Sequence, residues 1–304
     1  MTIPTQEAFP MSAQNEAPAR LPGLRVLTVL RTAPVTPRMR RITLGGPELA
    51  GFGTGPNIKV LVPPPGDPDP QWPAAGPDGR TTWPPEHRRP AMRTYTVRRH
   101  DPAAGELDVD FVLHGDRGPA SRWAGAARPG DVLGVVGPGG RTVLDADRYL
   151  VAGDHTALPA IGTIVAELPR HARGHVLVEV PDPGEIQDLA PPPGVELIWL
   201  FQDGAGPGTT TLLQDAVRAL PRPDGGERAF VWAAGESASV RAIRSYARDD
   251  LGLNRRDLLA IGYWKHGMTE TAYHDRHDND RDQDYYRAGK EELAERERAA
   301  AGPA

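Results

Sequence analysis

Residues 148–180 read RYLVAGDHTALPAIGTIVAELPRHARGHVLVEV, and this stretch decides the architecture of the chain. Arg148–Ala152 (RYLVA) and His175–Val180 (HVLVEV) are short apolar runs that read as strands, and Leu158–Leu168 between them reads as a helix. The same texture continues toward the C-terminus. Glu196–Phe201, Arg228–Ala233 and Leu258–Tyr263 read as further strands, with helices over Thr211–Leu220 and Ser239–Asp249. Strands and helices that alternate, with continuous apolar strands, predict a parallel sheet covered on both faces.

Toward the N-terminus the pattern differs. Leu24–Arg31, Met39–Leu44, Ile58–Val62, Arg93–Arg99, Glu106–Leu113 and Val132–Val136 read as strands, and only one helix, near Ala120–Ala127, interrupts them. They predict an antiparallel six-stranded β-barrel. Apolar residues at 107, 109, 111 and 113 predict one buried and one wet face for that strand. The proline-rich stretch Pro63–Pro90 suits a surface loop with no ladder-paired strand. The expected organisation is a mobile leader (1–22), a β-barrel domain (23–146), an α/β domain (147–270) and a polar, helix-prone tail (271–304) with little to bury. The boundary falls in Arg141–Asp147, which has no hydrophobic periodicity.

Composition narrows the function. Gly (34) and Pro (33) make up more than a fifth of the 304 residues, which calls for many turns, while 39% hydrophobic residues suffice for a core. The chain has no cysteine, which excludes disulfides, thiol chemistry, iron–sulfur ligation and Cys-type zinc sites. Any redox chemistry must be carried by a bound cofactor. The net charge of -5 argues against nucleic acid as a partner. No apolar run is long enough to span a bilayer, and Met1–Arg20, which carries Glu7 and Glu16, has no signal-peptide core. A cytoplasmic protein is expected.

A β domain followed by an open α/β domain is an order used to hold a flavin on the first and a pyridine nucleotide on the second. Five segments bear on this. Arg93-Thr94-Tyr95-Thr96 places a cation, hydroxyls and an aromatic within four positions of one strand, the groups that a flavin's pyrophosphate, polar edge and ring require; read alone such a segment is more often an ordinary exposed strand. His114–Trp123 leaves a strand, turns at Gly118 and opens a helix with Pro119 and Ser121, where free backbone N–H groups can bind phosphate or Ser121 can simply cap the helix. Ala152–Ala160 and Trp232–Ser237 each end a strand in a Gly turn before a helix, at the edge where open α/β sheets bind ligands, and Asp154 there suggests a polar contact to a flavin or nicotinamide edge. Gly262–Gly267 ends the last strand with Tyr263, Trp264, Lys265 and His266.

Two further segments are set aside. Gly204–Thr209 lacks the residues of either nucleotide-binding glycine signature and reads as a loop. The acidic run His274–Asp284 alternates Asp278, Asp280 and Asp282, but Gln283 and Gly289 stand where a calcium loop needs Gly and Glu, so no metal site is expected.

RTYTVRRHD (93–101), LDVDFVLHGDRGPASRWA (107–124), PGDVLGVVGPGG (129–140), VAGDHTALPAIGTI (151–164), VWAAGES (231–237) and GYWKHG (262–267), in this order and spacing, resemble the siderophore-interacting protein family over residues 24–270. The resemblance implies an FAD-dependent ferric-siderophore reductase of the ferredoxin-reductase-like superfamily. It takes electrons from NADH or NADPH, or in some relatives a reduced ferredoxin. It implies that Arg93, Thr94, Tyr95 and Thr96 bind the flavin, with Asp110, Val112, Leu113, His114, Gly118, Pro119, Ala120 and Ser121 on the ribityl, pyrophosphate and adenosine side. Asp154, Thr156 and Ala157 lie beside the flavin, with His155 where many relatives carry an acidic residue. Ala234, Gly235 and Glu236 form the reductant edge, Tyr263 and Trp264 approach FAD, and Lys265 faces the anionic ferric chelate, with Lys59, Arg98 and Arg99 as helpers.

No protein side chain is expected to be catalytic, since the chemistry belongs to FAD. Glu179, ending the second α/β strand, argues for NADH because an acid there would repel a 2′-phosphate. The expected protein is a monomer. The competing expectations are a siderophore-binding flavoprotein without turnover and an NAD(P)H:flavin-type reductase with another acceptor.

Overall fold

The computed structural model describes residues 20–277 except 77, 116–117, 142, 144 and 223–225. Most of the expected leader, and the tail from 278 with its alternating aspartates, lie outside the described residues. In chain order the N-terminal part comprises β1 (Leu24–Thr36), β2 (Met39–Gly45), β3 (Asn57–Val62), β4 (Ala74–Ala75), β5 (Thr81–Thr82), β6 (Ala91–Thr96), β7 (Arg99–Asp101), β8 (Glu106–Val112), α1 (Pro119–Ala126) and β9 (Val132–Gly139). The C-terminal part comprises β10 (Arg148–Asp154), α2 (Leu158–Glu167), β11 (Arg173–Val180), β12 (Gly194–Phe201), α3 (Leu212–Ala219), β13 (Ala229–Glu236), α4 (Ser237–Ser245), β14 (Leu258–Trp264) and α5 (Glu270–His277).

The antiparallel sheet has seven strands rather than the six expected, in the order β6-β3-β9-β1-β2-β8-β7. The extra strand arises because the run Arg93–Arg99 divides: β6 and β7 are the two edges of the sheet, and the chain crosses from one to the other at Val97–Arg98. The crossing closes the barrel. Val97 N–H donates to Pro56 O beside β3 (2.8 Å), and Arg98 N–H donates to Asp108 O on β8 (3.0 Å). Leu27, Ile42, Val60, Val109, Phe111 and Leu133 fill the interior.

Two further expectations need correction here. The proline-rich loop does contain a ladder: Ala74 and Ala75 pair with Thr82 and Thr81, residues that keep the N–H donors prolines lack. The second face of β8 is not wet. Asp108 and Asp110 are only 3% and 2% exposed. The register sets Arg41 opposite Asp110 and Thr43 opposite Asp108. Arg41 forks onto Asp110 through Nε (2.7 Å) and Nη2 (2.8 Å), and Asp108 accepts from Thr43 Oγ1 (2.6 Å) and Arg99 Nε (2.8 Å). Alternation produces the same pattern whether the polar side meets water or cross-strand arginines.

The second sheet is wholly parallel, ordered β12-β11-β10-β13-β14. Its inner strands are buried on both faces, which explains their continuous apolar runs: Val176, Val178 and Trp232 pack with α2 residues Leu158 and Ile161, while Leu177 and Val231 pack with Leu213 and Ile243 on the other side. The chain leaves β10 first to one side and then to the other, so the carboxyl ends of β10 and β13 frame a topological switch point. The described part of the tail buries more than expected, because Tyr273 of α5 is fully buried. At the junction of the two sheets, Met39 at the start of β2 packs into the α/β core.

Candidate functional site

At the switch point a single carboxylate ties three strand ends together. Asp154 closes β10; its Oδ1 accepts from Thr156 N–H (2.9 Å) and Thr156 Oγ1 (2.5 Å). Its Oδ2 accepts from Glu236 N–H at the end of β13 and from Trp264 Nε1 at the end of β14, both at 2.8 Å. Burial raises the proton affinity of Asp154, while the donors from Thr156, Trp264 and Glu236 hold it down. Gly235 makes the arrangement possible. Its φ is +137°, and a Cβ there would lie 2.5 Å from Asp154 Oδ2. Ala157 and Ala234 are fully buried and close over Gly153, where a Cβ would meet Ala157 Cβ at 2.6 Å and Ala234 O at 2.9 Å.

Glu236 is spoken for by its own backbone surroundings: it caps α4 through Ala238 and Ser239 N–H and accepts His266 N–H at 3.2 Å. Tyr263 and Lys265 are half-buried beside it, and among the described residues Lys265 has no side-chain hydrogen bond or ion pair. The Gly204–Thr209 segment is a loop, as read, but it also walls this edge. Gly208 has φ +74°, and a Cβ there would lie 2.8 Å from Trp264 Cη2. The loop is anchored by Glu179, whose Oε1 accepts Gln202 Nε2 and Thr210 Oγ1, each at 2.8 Å. Glu179 is 4% exposed, so it does not face a ribose and its argument for NADH falls. No local signal in the sequence connected Glu179 to Gln202 and Thr210.

The second half of the site lies on the barrel's edge strand β6, which pairs with β3 so that Thr94 stands opposite Lys59 and Tyr95 opposite Ile58. Tyr95 and Arg93 are half-buried on one face and Thr94 is exposed on the other, whereas Thr96 is buried. The Tyr95 ring leans on Phe111 (4.3 Å between centroids), and Phe111 on Trp123 (5.7 Å), so an aromatic stack rises from the barrel core to the edge. Arg93 Nη1 donates to Met92 O (2.8 Å), and Lys59 Nζ donates to Thr94 Oγ1 (2.5 Å).

Val112, the last residue of β8, packs toward the α/β core, and Leu113 just beyond it toward the barrel core. Ser121 does not cap its helix. Its Oγ accepts His114 N–H (3.0 Å) and donates to Gly115 O (2.9 Å), fastening the strand end to α1. Gly118 at the N-cap contributes no side-chain acceptor and Pro119 has no N–H, which leaves the first-turn donors of Ala120 and Ser121 without intrahelical partners. Asp110 is held by Arg41 inside the β8 face described above, next to this edge.

The helper cations separate on inspection. Arg99 is ion-paired to Asp101, Glu106 and Asp108, so its charge is neutralised within the barrel. Arg98 lies 3.8 Å from Asp110 and sits over α2, close enough that a methyl at Gly162 would touch its Nε at 3.5 Å. Arg98 therefore brings the end of β6 beside the helix that opens just after Asp154. Lys59 donates to the Thr94 hydroxyl across the β3–β6 ladder.

An aromatic wall, flanking hydroxyls, an arginine and open helix-start donors on one barrel edge fit a flavin dinucleotide, and a buried switch-point carboxylate beneath two aromatics fits a nucleotide edge. Comparison with known proteins names the same cofactor. A family model described as a siderophore-interacting FAD-binding domain matches residues 28–142, and one described as siderophore-interacting protein matches residues 146–267. The chain belongs to the siderophore-interacting protein family. Among relatives of this siderophore-interacting protein is the ferric vibriobactin reductase ViuB of Vibrio cholerae, 38% identical over 83% of this chain and 93% of the relative. Two solved structures are similar: the siderophore-interacting protein SipS from Aeromonas hydrophila (40% identity, TM-score 0.73, covering 84% of this chain and 97% of that one) and a siderophore utilization protein from T. fusca (39%, 0.74, 81% and 94%).

Proposed function

We propose that this siderophore-interacting protein reduces the iron of a ferric siderophore, taking electrons from a pyridine nucleotide through FAD. The flavin would lie on residues 23–146, against Tyr95 and the hydroxyls of Thr94 and Thr96, with its phosphates toward Arg93 and the start of α1. The donor would enter residues 147–270 at the carboxyl edge formed by Asp154, Gly235, Glu236 and Trp264. When bound, FAD supplies the conversion between a two-electron donor and a one-electron acceptor.

The chain's own residues bind and orient. Phe111 fixes the tilt of Tyr95, Ser121 fixes the strand end that leads to α1, and Asp154 fixes the indole of Trp264. Lys265, unpaired among the described residues, attracts an anionic chelate. Fe(II) binds hard oxygen ligands less tightly than Fe(III), so reduction releases the metal. No nucleophile or acid–base pair is required. The same reading has the protein working as a monomer in the cytoplasm, with a reduced ferredoxin as the alternative donor.

The observation that carries this reading is the pairing, in one chain, of an aromatic-walled barrel edge with an Asp-knotted switch point. The test is an anaerobic assay of the purified flavoprotein with NADH or NADPH and a ferric siderophore, trapping Fe(II) with a chromogenic chelator. Colour development that depends on protein, donor and ferric siderophore together supports the reading. Bound FAD whose reoxidation no ferric chelate accelerates contradicts it.

A further inference from the structure

One buried carboxylate plays no part in the site described above. Glu185, in the turn after β11, is fully buried. Its Oε1 accepts Arg38 N–H at 2.9 Å, and its Oε2 accepts the Thr36 hydroxyl and lies 3.0 Å from His155 Nε2. These partners come from two different sheets: Thr36 ends β1 and Arg38 sits in the turn to β2, both in the barrel, whereas His155 immediately follows Asp154 in the α/β domain. The same turn is packed around them. Arg38 pairs with Asp182 at 3.2 Å, Gln187 Nε2 lies 3.1 Å from Met39 Sδ, and Met39 is buried in the cluster that holds Leu158 and Ile161.

A buried carboxylate is tolerated only when donors surround it, and here the barrel supplies both of its hydrogen bonds, from Thr36 and Arg38. Separating the domains would strip Glu185 of both. The docked arrangement is therefore one discrete state rather than a continuum of hinge angles. His155 is also buried; burial pushes its imidazole below the ordinary value while Glu185 and Asp182 pull it up and Arg38 pushes it down. Its next neighbour in sequence is the carboxylate that ties β10, β13 and β14 together.

We infer that His155 and Glu185 are positioning residues that lock the barrel onto the α/β domain and so set the approach of the donor to the flavin. The inference rests on the function proposed above. Its most direct signature is domain geometry. Because the chain has no cysteine, A126C on α1 and A219C on α3 can carry a spin-label pair without background in the FAD-loaded protein.

With His155 and Glu185 intact, the interspin distance distribution should be narrow; His155→Ala and Glu185→Ala should broaden it, and His155→Gln, which keeps a polar side chain beside Glu185, should restore it. In the same variants, flavin reduction by NADH or NADPH should slow by about tenfold or more, as expected for misplaced reactants, while reoxidation by a ferric siderophore changes less than about twofold. If Glu185→Ala does not fold, His155→Ala and His155→Gln carry the comparison. An unchanged distance distribution overturns the inference, as do half-reactions that are both unaffected or equally slowed. A parent protein that no pyridine nucleotide reduces would contradict the proposed donor instead, and the distance measurement would still decide the lock.

Discussion

Gly235 is the position where the site leaves least room. A side chain there would combine a φ of +137° with a Cβ 2.5 Å from Asp154 Oδ2. Gly235→Ala should lower stability by about 1–3 kcal/mol in a denaturant titration and weaken binding of the pyridine nucleotide, because Asp154 must move from Trp264. Tyr95 acts differently, since its ring is the exposed end of a stack rooted in Phe111. Tyr95→Ala should weaken FAD retention by about tenfold, measured by equilibrium dialysis of the flavin, with little change in melting temperature. Lys265→Ala should raise KM for an anionic ferric chelate several-fold while leaving flavin content unchanged; unchanged kinetics would remove Lys265 from the chelate's path. At this scale the sequence was readable where one residue type can do one thing, as with the strand-ending glycines. It was not readable where a side chain's fate depends on a partner on another strand. Arg99 reads as a free cation until the register brings Glu106 and Asp108 against it, and Glu179 reads as an acid that would repel a 2′-phosphate until Gln202 and Thr210 turn it into a loop anchor.

Strand β8 shows what an element can hide. Its three acids, Glu106, Asp108 and Asp110, share one face and are clasped by Arg41 of β2, Arg99 of β7 and, from one strand further, Arg31 of β1. Glu106 is held down from 4.5 to about 2, chiefly by its hydrogen bond to Arg31 and then by that to Arg99. A carboxylate whose folded value is depressed contributes stability above its unfolded value and loses it as pH falls through the folded one. Thermal stability should therefore decline between about pH 4.5 and pH 2, and Glu106→Gln should flatten that decline. A decline of equal slope in both proteins would remove Glu106 as its source. The parallel strands were legible because burial on both faces leaves a continuous apolar run, and β8 was legible as a strand for its alternation. What its polar face touches was not, since water and arginine select the same residues there. The division of Arg93–Arg99 into β6 and β7 was equally hidden, because it depends on the barrel closing at Val97–Arg98.

At the scale of the molecule, two sheets are joined so that the hairpin turn between β1 and β2 enters the α/β domain. Met39 joins its core, and Glu185 draws Thr36, Arg38 and His155 together. The order of a β-barrel and a parallel α/β sheet could be read from periodicity alone. Their junction could not, since its residues lie far apart in the chain and each satisfies an ordinary local role. The central claim, that electrons pass from a pyridine nucleotide through FAD to siderophore-bound iron, has a direct stoichiometric test. The FAD-loaded protein is reduced anaerobically with a limiting amount of NADH or NADPH and mixed with excess ferric siderophore in a stopped-flow instrument, with an Fe(II) chelator present. Flavin reoxidation should coincide with formation of about two Fe(II) per reduced flavin reoxidised, and a quinone or nitro compound should reoxidise the flavin more slowly. Reoxidation by those acceptors but not by the ferric siderophore, with no Fe(II) formed, would contradict the claim.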